Sequence, residues 1–252
     1  MTTQNLDGKV AMITGAARNM GKAFAIALAA RGANIVVHHH TNESKADAAA
    51  TAKQIESNGV RAVVVSGDLS MVSSVREMFS TAIEQLGRID LVINNAGLVI
   101  KKPMLDVTEG DFDRAFGINC KAAFFVMQEA AKVIQDNGRI INMGTTLLGA
   151  TTGSYGVYAG SKAPLEDFTR ALAKEIGSRG VTVNTVAPGP IDTPFFHGEE
   201  TEQSTTYLAS MSPLGRLGHI EDITPLIEFL TSEESRWVTA QTLFINGGFL
   251  TR

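Results

Sequence analysis

Tyr158 and Lys162 stand four residues apart in Tyr158-Ala159-Gly160-Ser161-Lys162, a spacing that puts both on one face of a helix. A free phenol, with a pKa of about 10, is a poor acid or base at neutral pH. A neighbouring ammonium favours the phenolate and lowers that pKa, which tunes the group for proton transfer. Taken alone, the pair fits a solvated helix face as well. Thirteen residues upstream, just past the apolar run Arg139–Met143, is Thr145, whose hydroxyl can hold a substrate oxygen beside the phenol.

A second cluster sits near the start of the chain, in Thr14-Gly15-Ala16-Ala17-Arg18-Asn19-Met20-Gly21. Gly15 permits a sharp turn after a strand, and Gly21 lets a helix begin close to the sheet. Free N–H groups at that helix start, with the positive end of its dipole, favour a pyrophosphate. The next strand ends in His38-His39-His40-Thr41-Asn42, where NAD-binding folds of this kind carry an acidic residue for the ribose diol. No carboxylate follows until Glu43, whereas Arg18 is placed to meet a 2′-phosphate and His40, Thr41 and Asn42 lie close by. The expectation is NADP(H). Three consecutive histidines on a strand face alternate sides and cannot all converge on one ion, so no metal site is expected.

These groups need elements to hold them. Short β-branched runs alternate with longer helical stretches. Strands are expected at Lys9–Thr14, Asn34–His38, Arg61–Ser66, Ile89–Asn94, Arg139–Met143, Val181–Val186 and Gln241–Ile245. Helices are expected at Met20–Arg31, Glu43–Ser57, Val72–Leu86, Glu109–Gln135 with a bend near Gly117, Tyr155–Ser178 and Ile220–Leu230. The strands are nearly continuous apolar runs, as burial on both faces of a parallel sheet requires. The pattern predicts one doubly wound α/β domain over 1–252, with a seven-stranded parallel sheet, helices on both faces and ligands beyond the carboxyl ends of its strands. Residues 189–219 form the one long insertion; rich in Gly, Pro, Ser and Thr, with Phe195, Phe196, Tyr207, Leu208 and Met211 as apolar anchors, it is expected to cover a substrate.

Hydrophobic residues are 44% and charged residues 19%, enough for a large core. The net charge of −4 argues against a nucleic-acid protein. One cysteine, Cys120, excludes an intrachain disulfide and points to the cytoplasm. The opening residues MTTQNLDGKV lack a secretory pattern, and the uncharged stretch 140–161, apart from its flanking residues, is too rich in Gly, Thr and Ser for a membrane span.

Taken together, the Tyr-x-x-x-Lys pair, Thr145, Asn94-Asn95-Ala96-Gly97, Gly117-Ile118-Asn119-Cys120 and Pro188-Gly189-Pro190-Ile191-Asp192-Thr193 resemble the short-chain dehydrogenase/reductase family over nearly the whole chain. The flavour is that of ketoreductases similar to 3-oxoacyl-carrier-protein reductases and polyhydroxynaphthalene reductases. Two departures stand out: Asn19 replaces the middle glycine of the family's Thr-Gly-x-x-x-Gly-x-Gly loop, and Thr145 replaces the usual serine. The resemblance implies a Rossmann fold and carries roles with it. Tyr158 would be the general acid in carbonyl reduction, Lys162 its partner and a ribose ligand, and Asn119 the holder of a relay water. Asp68 and Leu69 would meet the adenine, Asn95, Ala96 and Gly97 the adenosine ribose, and Pro188, Gly189, Ile191 and Thr193 the nicotinamide. The expected activity is NADPH-dependent reduction of a ketone or aldehyde to an alcohol, by a homotetramer. Two alternatives stand beside it: an NAD-dependent alcohol dehydrogenase working oxidatively, and a non-catalytic nucleotide-binding protein on the same fold. The substrate pocket is assigned to 146–155 and the insertion, with Phe195, Phe196 and Tyr207 hinting at an apolar or aromatic ketone.

Overall fold

In the computed structural model, which describes residues 6–150 and 152–251, the chain folds around a single sheet. Thr151, inside the segment assigned to the substrate pocket, lies outside the described residues, as do the two chain ends. The strands are β1 (Val10–Ile13), β2 (Asn34–His39), β3 (Ala62–Ser66), β4 (Ile89–Asn94), β5 (Ile134–Met143), β6 (Thr182–Pro188) and β7 (Thr242–Ile245). Their spatial order is β3-β2-β1-β4-β5-β6-β7, and every pairing is parallel. The chain winds outward from β1 in one direction and then, from β4, in the other. Between β1 and β4 the connections diverge and leave a crevice at the strands' carboxyl ends.

Both faces of the sheet are covered, and the alternation along each strand shows it. Ala11 and Ile13 of β1 join one apolar cluster, Val10 and Met12 the other. The first cluster is closed by α1 (Asn19–Ala30), α2 (Lys45–Glu56) and, from later in the chain, Ile220–Leu230. The second is closed by α3 (Val72–Leu86) and the helices that follow β4 and β5. A strand buried on two faces has no polar side to alternate with, which is why the strand sequences read as unbroken apolar runs.

Two helices depart from a simple rod. After β4 come α4 (Glu109–Phe116), a π-helical stretch Gly117–Ala122, and α5 (Ala123–Val133). The expected disturbance at Gly117 is therefore a change of helical winding within a continuous helix. The long helix expected from Tyr155 is divided into α6 (Gly156–Lys162) and α7 (Pro164–Ile176). Pro164 cannot donate to the turn before it, and the single non-helical residue, Ala163, still has helical dihedrals, so the axis continues. β5 starts earlier than Arg139, with its pairing to β4 irregular between Ile89 and Leu91. The insertion carries two helices of its own, α8 (Pro194–His197) and α9 (Glu202–Ser210), before α10 (Ile220–Leu230).

Candidate active site

At the crevice between β1 and β4, α1 begins without a cap. Arg18, its N-cap residue, is extended and makes no side-chain capping bond, and its first turn has no acidic residue. Gly15 (φ 66°) and Asn19 (φ 49°) both adopt the left-handed region, so Asn19 supports the turn a glycine would otherwise make. A Cβ on Gly21 would lie 2.4 Å from the Gly15 carbonyl oxygen, which shows how closely the helix start approaches the loop. The first-turn N–H groups and the helix dipole are left for a ligand, the donor set that a dinucleotide pyrophosphate needs.

The loop is held from below by a histidine. The Gly15 N–H donates to His38 Nδ1 (3.1 Å), and His38 Nε2 lies 3.0 Å from the Gly67 carbonyl oxygen. One partner can only donate and the other can only accept, so the neutral tautomer protonated at Nε2 satisfies both. Burial holds the His38 pKa down at about 4, with His39 and His40 adding to the effect against the Gly67 hydrogen bond. The three histidines go to different places: His39 Nδ1 bonds Thr41 and Ser44, and His40 stands 4.0 Å from Asp68. The role of His38 was not anticipated. Its position at the end of β2 was the available signal, but a strand buried on both sides does not reveal which side chain meets the glycine loop.

The cleft holds about 750 Å³ and runs from this loop to the start of α6. It brings together Gly15, Arg18, Asn19, Met20, Gly21, His40, Asp68, Leu69, Asn95, Ala96, Gly97, Tyr158, Lys162 and Thr193. It also includes Ile118 and Phe195, together with Ser70, Leu98 and Gly144, which the motifs did not single out. Thr41 and Asn42 are not in its wall; Thr41 instead caps the short turn Asn42–Ser44 and donates to Glu43. Pro188 ends β6 and is not in the wall, while Gly189 and Ile191 line a separate cavity of about 200 Å³ under the insertion and the C-terminal segment. Arg18 is at the cleft, but its guanidinium bonds the Asp47 carboxylate of α2. Both partners are about half exposed, so this pair is weak and open to exchange for another anion.

At the other end, Lys162 is buried and its Nζ donates to the Met143 carbonyl oxygen at 2.7 Å. Burial lowers its pKa to about 8. Tyr158 is pushed up to about 12 by burial, opposed by a hydrogen bond with Thr145. The phenol is therefore raised here, where the sequence led us to expect it lowered, and Lys162 is not among the groups that shift it. Asn119, fully buried in the π-helical stretch, accepts from the Leu98 N–H (2.9 Å) and donates to the Leu98 carbonyl oxygen (2.7 Å) and Ser161 Oγ (2.9 Å). Ser161 Oγ in turn donates to the Tyr158 carbonyl oxygen. The amide thus ties the loop after β4 to α6, and the shift in winding supplies the angle at which it reaches both. No group of three His, Cys, Asp or Glu side chains among the described residues is placed to hold a metal.

The family model described as enoyl-(acyl carrier protein) reductase matches residues 15–250. A short-chain type dehydrogenase/reductase of Picea abies is 39% identical, covering 96% of this chain and 93% of its own. The hydroxynaphthalene reductase-like protein Arp2 of Metarhizium brunneum is 36% identical, over 99% and 98%. The chain belongs to the short-chain dehydrogenase/reductase family. Among solved structures, a putative dehydrogenase from Burkholderia cenocepacia with bound NADP superposes with a TM-score of 0.96 at 39% identity, covering 100% of this chain and 97% of that one. No helix of the described residues is long and apolar enough to cross a membrane.

Proposed function

We propose that this short-chain dehydrogenase/reductase is an NADPH-dependent reductase that converts a ketone or aldehyde to an alcohol, with Tyr158 as the proton donor. The observation that carries the reading is the juxtaposition, in one cleft, of an uncapped helix start at one end and Tyr158 with Lys162 at the other, where Thr145 hydrogen-bonds Tyr158. The NADP-bound relative, nearly superimposable on this chain, supports the cofactor, as does Arg18 beside the glycine loop.

When bound, NADPH supplies the hydride. The chain's own residues bind, orient and protonate. The first-turn N–H groups of α1 hold the pyrophosphate, and Arg18 exchanges Asp47 for the 2′-phosphate. Asp68 and Leu69 flank the adenine, Asn95–Gly97 the adenosine ribose, and Thr193 the nicotinamide end, as the family pattern implies. Lys162, fixed by the Met143 carbonyl, directs an ammonium at the ribose hydroxyls. Thr145 holds the substrate carbonyl oxygen beside the Tyr158 hydroxyl. As that oxygen gains negative charge, the phenol donates its proton to it. A phenol raised to about 12 is fully protonated at neutral pH, yet remains a far stronger acid than an alcohol, whose pKa lies near that of water at about 15.7. The transfer therefore runs downhill in the reductive direction.

The insertion contributes Phe195 to the cleft wall, and the hydroxynaphthalene reductase-like relative adds support for an aromatic or bulky apolar ketone as the substrate class. We also propose that the enzyme is a cytoplasmic homotetramer. The supporting feature of the assembly is an apolar face formed by Phe124 of α5 with Phe168 and Leu172 of α7.

A screen of carbonyl substrates, followed at the nicotinamide absorbance, tests the reading directly. Turnover is expected with NADPH, and Tyr158→Phe is expected to lose at least about 100-fold in kcat while binding NADPH normally. Undiminished turnover in that variant would refute the proton-donor role.

A further inference from the structure

The insertion between β6 and α10 is a long segment with little apolar attachment. Between Thr193 and Ser212 no residue is buried as a whole, and α9 contributes no buried side chain. One side chain breaks this pattern. The carboxylate-bearing side chain of Glu200, immediately before the N-cap of α9, is 0% exposed. It receives Lys101 Nζ at 2.5 Å, the Tyr155 hydroxyl and Ser204 Oγ. These partners come from three parts of the chain. Lys101 lies in the loop after β4, Tyr155 in the loop before α6, and Ser204 in α9 itself. The first two loops are joined directly, because the Lys102 N–H donates to the Ser154 carbonyl oxygen at 2.8 Å. Lys101 Nζ also sits 5.6 Å from the centre of the Tyr155 ring. The Tyr155 ring makes an edge contact with the Tyr158 ring, centroids 6.2 Å apart.

The arrangement therefore runs without interruption from the insertion, through a sequestered carboxylate, to the ring beside the proposed proton donor. Burial alone would raise the Glu200 pKa, but hydrogen bonds from Lys101, Ser204 and Tyr155 outweigh it and keep the group below its ordinary value. A charged carboxylate removed from water is stable only while those donors stay in place, so the segment carrying it is held to one position.

We propose that Glu200 is a positioning residue: with Lys101 and Tyr155 it latches the insertion across the substrate side of the cleft, and so sets how the enzyme holds its ketone. Phe195, five residues earlier on the latched segment, is the side chain that this latch keeps in the cleft wall. The inference rests on the proposed reductase function for its kinetic consequence, but the latch itself is a property of the folded chain.

Three full-length variants test it: Glu200→Gln, which keeps the shape and a hydrogen-bond acceptor for Tyr155 but removes the charge; Lys101→Glu; and the exchange Lys101→Glu with Glu200→Lys. The first readout is amide hydrogen exchange over residues 194–211 in the cofactor-free protein. Both single variants are expected to exchange about tenfold faster there, and the exchange double variant to recover most of the protection. The second readout is steady-state kinetics with a bicyclic aromatic ketone. The single variants are expected to raise its KM about tenfold, with kcat within about threefold of wild type, and the double variant to bring KM back down. The NADPH Kd is expected to stay within about twofold throughout, which confirms that the variants are folded. Exchange in the insertion that matches wild type, a KM that does not move, or a double variant no better than the singles overturns the proposal. If Tyr158→Phe retains full turnover while the exchange pattern follows expectation, the catalytic reading fails and the latch stands.

Discussion

His38 shows how much one buried polar side chain can hold in place. It connects the amide of the glycine loop to the carbonyl that ends the β3 region, at a point where solvent cannot substitute for either bond. Its folded pKa of about 4 lies below the unfolded value of 6.5, so between those values the unfolded chain binds a proton that the folded chain refuses. Stability from this group is complete above pH 6.5 and is lost as pH falls towards 4, by up to about 3 kcal/mol. His38→Gln can keep an acceptor and a donor but cannot titrate. Urea unfolding at pH 7 and at pH 5 is expected to show a smaller acid-induced loss for His38→Gln than for wild type. Equal losses would place the acid sensitivity elsewhere. Tyr158 is governed by the same force with the opposite sign of charge, burial favouring the neutral phenol and so the acid form needed for reduction.

Among elements, the face shared by α5 and α7 has a consequence for assembly. Phe124 is 40% exposed and packs edge-on against both Phe125 and Phe168, while Leu172 extends the same surface. Isolated apolar side chains on a surface mean little, but contiguous aromatic ones mark an interface. Phe168→Asp is expected to reduce the proposed tetramer to smaller species in sedimentation velocity while leaving far-UV circular dichroism unchanged. A wild-type sedimentation coefficient in that variant would remove this face from the interface. The π-helical stretch shows where element type was legible and geometry was not. Gly117 and the amide of Asn119 marked a disturbance, but the π-helical winding and the three hydrogen bonds of Asn119 to Leu98 and Ser161 appear only in the folded chain. Likewise, the sequence led us to expect one helix over Tyr155–Ser178, which is divided at Pro164 while Ala163 keeps helical dihedrals.

For the whole molecule, the reversal of winding between β1 and β4 places the glycine loop and the start of α6 on one crevice. A ligand spanning that crevice bridges the two halves of the sheet and binds the folded state alone. At a concentration about 100 times its Kd, NADPH is expected to add about 2.7 kcal/mol. For a chain of this size that is a rise in Tm of about 5–10 °C by differential scanning fluorimetry. NADH, lacking the 2′-phosphate proposed to pair with Arg18, is expected to give a clearly smaller rise at equal concentration. Equal shifts would remove Arg18 from cofactor choice.

Strand and helix positions could be read from the sequence because periodic burial writes itself locally: a strand covered on both faces must be apolar throughout, and a helix start that binds phosphate must leave its amides free. The Tyr158 and Lys162 pair was legible for the same reason, since four residues along a helix always share a face. What only the tertiary structure decided were contacts between residues far apart in the chain. Those were His38 under Gly15, Asp47 on Arg18, Asn119 between Leu98 and Ser161, and Glu200 with Lys101 and Tyr155. Each is a polar group whose partner is chosen by the path of the backbone in three dimensions, and no local periodicity records that choice.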